Sequence, residues 1–99
     1  MLHIVNKSHT ERGALASCLR LAQDGSALLL IEDGIYAATQ GAAAASGIAA
    51  ATARLKVYAL QPDVLARGMA GRLVEGVTPV SYAGFVDLVT THRTNQSWL

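Results

Sequence analysis

One cysteine, Cys18, is all the sequence holds, so no intrachain disulfide can close, and a lone thiol is too few for a cysteine-based zinc or iron-sulfur site. Charge is scarce too. Only 15% of residues are charged, the formal net charge is +1, and the pI is near 8.0. The basic residues are scattered rather than clustered, so direct nucleic-acid binding is not expected. No stretch reaches the roughly 18 apolar residues needed to span a bilayer. The strongest run, Ala27 to Ile31, is flanked by Asp24 and Glu32. The opening Met1 to Lys7 lacks the basic and then long apolar segments of a secretory signal, so a cytoplasmic chain with no membrane contact is expected. No turn reads as a dinucleotide or phosphate-binding loop, and no nucleophile-base pair stands out. His3, His9 and His92 lack metal-ligand spacing, so neither a metal nor a cofactor is expected.

What is present is apolar. Hydrophobic residues make up 52% of the 99 positions, enough for one domain over residues 1–99 with a single core. With so few charges to cover the outside, part of the apolar surface is expected to face another subunit. Much of the excess is alanine, which surface helices carry without penalty.

Leu2-His3-Ile4-Val5 reads as a first strand, with Ser8 or Thr10 available to cap a helix over Glu11 to Gln23. In that helix Ala14, Leu15, Cys18, Leu19 and Ala22 recur at three and four, so Cys18 points toward the packed side or its edge. Ala27 to Ile31 is an unbroken apolar run, as expected of a central parallel strand covered on both faces. After Glu32-Asp33-Gly34 a second helical stretch runs toward Ala53, with a break expected between Gly41 and Gly47. Leu55 to Leu60 is a third strand, and Pro62 suits the first turn of a helix from Asp63 to about Met69. Val77 to Ser81 is a short strand whose Pro79 argues for an edge position. Tyr82 to His92 is the last helix, with Phe85, Leu88 and Val89 inside, and Trp98 in the tail must dock on something. The expected fold is α/β: a three-layer sandwich with a mostly parallel sheet of four or five strands and helices on both faces.

In such sheets sites gather at the carboxyl ends of the strands, which brings Asn6-Lys7-Ser8, Glu32-Asp33-Gly34, Gln61-Pro62-Asp63 and Ser81-Tyr82 to one edge. Asp33 before Gly34 reads as a turn former and helix cap. Arg67 reads either as a solvated cation at a helix end or as an interface anchor. Cys18 is either a small buried apolar side chain or a thiolate that takes up sulfur as a persulfide.

The order of these segments resembles the DsrH/TusB family of sulfur-relay subunits, almost end to end. The resemblance runs from Met1-Leu2-His3 with Asn6-Lys7-Ser8, through Leu28 to Ile35 with Ala37-Ala38, to Lys56 to Leu60 with Asp63 and Ala66-Arg67-Gly68. It closes with Tyr82 to Leu88 and Trp98. It implies a subunit of a cytoplasmic heterohexamer, DsrEFH-like or TusBCD-like, built with DsrE/TusD-like and DsrF/TusC-like sister chains. That complex passes persulfide sulfur to a DsrC/TusE-type carrier, for sulfur oxidation or for 2-thiolation of tRNA wobble uridine. The resemblance also implies that the main acceptor cysteine sits on the DsrE/TusD-like partner. Cys18 matches the cysteine of DsrH-type members, which tilts the reading toward sulfur oxidation. Two roles stay open: Cys18 as the persulfide carrier, or a structural and docking subunit with no sulfur on Cys18. Asp33, Gly34, Arg67, Leu88 and Trp98 are the interface candidates. The chain is either non-catalytic alone or one part of a sulfurtransferase, and whether it forms a homo-oligomer in the absence of its partners stays open.

Overall fold

The computed structural model describes residues 1–10 and 13–98, so the expected helix start at Glu11 lies outside the described residues. Five strands form one sheet: β1 (Leu2–Val5), β2 (Ala27–Leu30), β3 (Lys56–Leu60), β4 (Val77–Val80) and β5 (Asn95–Trp98). The spatial order is β4-β3-β2-β1-β5, and every neighbouring pair is parallel. The sheet is therefore wholly parallel, as the apolar run of β2 required: all four of its residues are buried.

Helices α1 (Ala14–Leu21), α2 (Ala43–Ser46), α3 (Ile48–Ala51) and α4 (Gln61–Ala66), with a 3₁₀ segment (Glu32–Ala38), lie in the connections from β1 to β4. Their inward side chains, among them Leu15, Cys18, Ile35, Ile48 and Val64, pack on Val5, Leu28, Leu30, Val57 and Ala59. Helix α5 (Tyr82–Thr91) then carries the chain to the far edge, beside β1. It lies on the opposite face, where Phe85, Leu88 and Val89 meet Leu2, Ala27 and Leu29. The right-handed rule for parallel crossovers explains the switch: a chain that reverses its direction across the sheet must change face.

Three local details differ from what the pattern of residues suggests. The hydroxyls of Ser8 and Thr10 bond each other at 2.9 Å, while α1 begins at the left-handed Gly13 with no side-chain cap. The break expected between Gly41 and Gly47 is present, but the second helical stretch opens as 3₁₀ and continues only as the short helices α2 and α3. Gly47, at φ 89°, splits the last two, and a Cβ there would lie 3.0 Å from the Leu19 side chain. The tail, of which only the docking of Trp98 was expected, forms a full strand, β5, in register with β1 from Leu2 opposite Asn95 to Val5 opposite Trp98. Pro79 does sit on an edge strand.

Candidate functional site at the carboxyl edge of the sheet

Gly34 brings the turn after β2 against the end of β1. Its Cα lies so close that a Cβ would fall 2.4 Å from the Val5 carbonyl oxygen. Just before it, Glu32 adopts a left-handed backbone at φ 50°, uncommon for a residue with a side chain. A carboxylate holds that conformation: the Glu32 N–H donates to Asp63 Oδ2, at 2.6 Å, from the first turn of α4. Arg67, which ends α4, donates from Nε to Asp33 Oδ1 at 3.0 Å, and its Nη1 stands 3.8 Å from Asp63 Oδ1. The hydrogen bond to Asp33 raises the Arg67 pKa, with burial acting the other way.

The two loops after β2 and β3 are thereby locked into one lip. Asp33 does not cap a helix; its carboxylate pairs with Arg67, and the residue preceding the 3₁₀ segment is Ile31, with no side-chain cap. Arg67 is half-buried between two carboxylates rather than a solvated cation. Ser81 is not part of this network; its Oγ accepts the Gly84 N–H at the start of α5. Nearby, Asn6 Oδ1 and His9 Nδ1 are buried with no partner among the described residues. The left-handed Glu32 and the Asp63 clamp had no signal in the sequence, because their partners stand 31 positions apart.

Cys18 lies away from this lip, on the inner face of α1, with no exposed surface. Burial pushes its thiol up to about 11, and the nearby Arg54 offsets only part of that. At neutral pH it is a thiol, not a thiolate. Leu88 is half-buried on α5 against the sheet. Trp98 is docked inside the chain: its Nε1–H donates to His3 Nδ1 at 3.1 Å, with ring centroids 6.0 Å apart. Among the described residues no three His, Cys, Asp or Glu side chains gather closely enough to hold a metal ion, and no helix is long and apolar enough to cross a membrane.

The Trp98 bond requires a neutral His3, whose pKa is lowered from 6.5 by burial and then by the Met1 amino group. Below pH 6.5 the unfolded chain takes up a proton that the folded chain excludes, so stability falls with acidification until the lowered native pKa is passed. We expect this loss to develop as the pH falls from 6.5 toward the lowered native pKa. It is read as a drop in melting temperature with a change in the emission of the single tryptophan, both absent from His3→Gln. A melting temperature that stays flat through this range would refute the assignment.

A small all-parallel α/β chain with a locked acidic lip, an internal tryptophan and a buried thiol is the class that these features define. Compared with known proteins, residues 7–95 match the family model described as DsrH like protein. The chain is 38% identical to Protein TusB of Escherichia coli O1:K1, over 99% of this chain and 100% of that protein. It is 37% identical to Protein TusB of Shigella flexneri over the same shares. The chain belongs to the DsrH-like family. Among solved structures it resembles the protein of unknown function MTH1491 from Methanobacterium thermoautotrophicum, with a TM-score of 0.75 and 19% identity over 97% of this chain and 95% of that one. It also resembles the ychN protein of E. coli, with a TM-score of 0.71 and 15% identity over 97% of both chains. These two likenesses concern the fold alone.

Proposed function

We propose that this chain is a cytoplasmic subunit of a sulfur-relay complex, assembled with sister chains of the DsrE/TusD and DsrF/TusC kinds, that hands persulfide sulfur to a DsrC/TusE-type carrier. Its own role is to shape and dock. The observation that carries this reading is Cys18, which has no exposed surface and a thiol pushed up to about 11. An acceptor of persulfide sulfur must expose a thiolate. Relatives that bear the name TusB support the tRNA 2-thiouridine branch over sulfur oxidation. In this reading the Asp33-Gly34-Arg67 lip is one docking element. The side of α5 where Tyr82 and Val86 stand exposed is another, held in place by Leu88 beneath it.

The test is co-expression with sister chains, followed by native mass spectrometry and by assay of 2-thiouridine in tRNA. Cys18→Ser is expected to assemble and relay as the parent does. Val86→Asp is expected to weaken assembly about tenfold or more, since it places a charge on an apolar contact. A mass gain of one sulfur atom on Cys18, with loss of relay in Cys18→Ser, would overturn the docking role. Failure of the parent chain to assemble with any sister would overturn the whole reading.

A further inference from the structure

The sheet ends in β4 on one side and β5 on the other. An edge strand offers unpaired N–H and C=O groups to any passing strand, and proteins blunt such edges with proline, charge or bulges. β4 is blunted by Pro79, which has no N–H to offer. β5, with the sequence Asn-Gln-Ser-Trp, carries neither proline nor charge.

The direction of its backbone groups follows from the ladder. The Leu2 N–H donates to the Thr94 carbonyl at 3.0 Å, whereas Met1 and Val5 accept from Ala27 and Ile31 on the other side. Thr94 and Gln96 therefore turn their backbone groups toward β1, and Asn95 and Ser97 turn theirs outward. Beside this edge a groove of about 300 Å³ opens on the α1 face, lined by Met1, His3, Leu21, Gln23, Gln96 and Trp98. Met1 and Leu21 are 49% and 63% exposed.

We propose that β5 is the pairing edge for a second copy of this chain, joined antiparallel about a two-fold axis through Gln96. In that register Asn95 of one copy exchanges both backbone hydrogen bonds with Ser97 of the other, so every outward N–H and C=O of the two residues is satisfied. An identical strand fits because the arrangement is self-complementary, and the neutral strand meets no like charge across the axis. The second copy also covers the apolar rim formed by Met1 and Leu21. Strand pairing alone buries less than the roughly 1,000 Å² of a firm interface, so the dimer is reversible, with a Kd on the order of 10 μM.

Sedimentation velocity on the isolated full chain over a wide concentration range tests this. The parent chain is expected to shift from monomer to dimer. Ser97→Pro removes an outward N–H and no bond to β1, so it is expected to raise Kd about tenfold or more while melting and tryptophan emission stay unchanged. Gln96→Glu and Gln96→Lys, which keep the backbone intact should the proline variant fail to fold, are each expected to stay monomeric alone and to pair when mixed. A parent chain that remains monomeric throughout, or associates only with sister chains, overturns the proposal. So does charge-independent dimerisation of the Gln96 variants. The inference does not depend on the sulfur-relay reading: assembly with sisters by a chain that never self-associates would sink only this one.

Discussion

Alanine at position 34 is expected to destabilise the chain by about 3 kcal/mol, lowering the melting temperature by roughly 10–20 °C for a domain of this size. The new methyl would stand 2.4 Å from the Val5 carbonyl oxygen and 3.1 Å from the carbonyl carbon. Both are backbone atoms of a central strand, so no side chain can swing aside. Relief requires lifting the 3₁₀ segment off β1, which breaks the bond from the Ile31 N–H to the Val5 carbonyl at 3.0 Å and pulls Asp33 from Arg67. Gly41 is the control: a Cβ there meets nothing within 4 Å, and its alanine variant is expected to melt within about 0.5 kcal/mol of the parent. Thermal melting followed by circular dichroism separates the two. Equal melting of both variants would show that the turn does not press on β1.

Arg54→Ala is expected to cost about 2 kcal/mol and to raise the rate of Cys18 modification by a thiol reagent roughly thirtyfold. Arg54 reaches back from the end of α3 to the last turn of α1. Its Nη1 donates to the Ala22 carbonyl at 2.8 Å and pairs with Asp24 at 3.1 Å, while Nη2 donates to the Leu19 carbonyl. Those carbonyls end α1 and have no partner further along the helix. Hydrogen bonds from a charged donor contribute about 1.5–3 kcal/mol, and the partial exposure of Arg54 places the expected loss inside that range. Cys18 lies in the turn so anchored. If the thiol reacts by local opening of that turn, each 1.4 kcal/mol lost speeds modification about tenfold. Lysine at position 54 is expected to restore only part of the stability, because an ammonium cannot span both carbonyls and Asp24 at once. A thiol that reacts equally fast in parent and variant would mean that Cys18 is reached by another route.

How much of this was legible in the sequence varies by element. β1, β2 and β3 are apolar in the alternating or unbroken manner of parallel strands, and Pro79 placed β4 at an edge. β5 gave no such signal, because Asn-Gln-Ser-Trp is polar and lacks β-branched residues; only its pairing with β1 makes it a strand. Glu32-Asp33-Gly34 looked like a turn and Ile35 to Ala38 like the opening of a helix, whereas one segment spans both and buries Ile35, Ala37 and Ala38. It is wound as 3₁₀ where Gly34 meets Val5 and Asp63 holds the Glu32 amide. Asp33 and Arg67 were each visible as residues of interest, but their pairing spans 34 positions and belongs to the fold, not to any local pattern. The reach of Trp98 to His3, across 95 positions, is the same kind of fact.

The single helix on the second face of the sheet bears on how the chain is made. Among the described residues α5 alone shields Leu2, Ala27 and Leu29, and it and β5 follow every other element in sequence. A ribosome therefore releases the greasy underside of β1 and β2 long before its cover is synthesised. Until then the nascent chain is a half-clad sheet, a natural client for a holding chaperone.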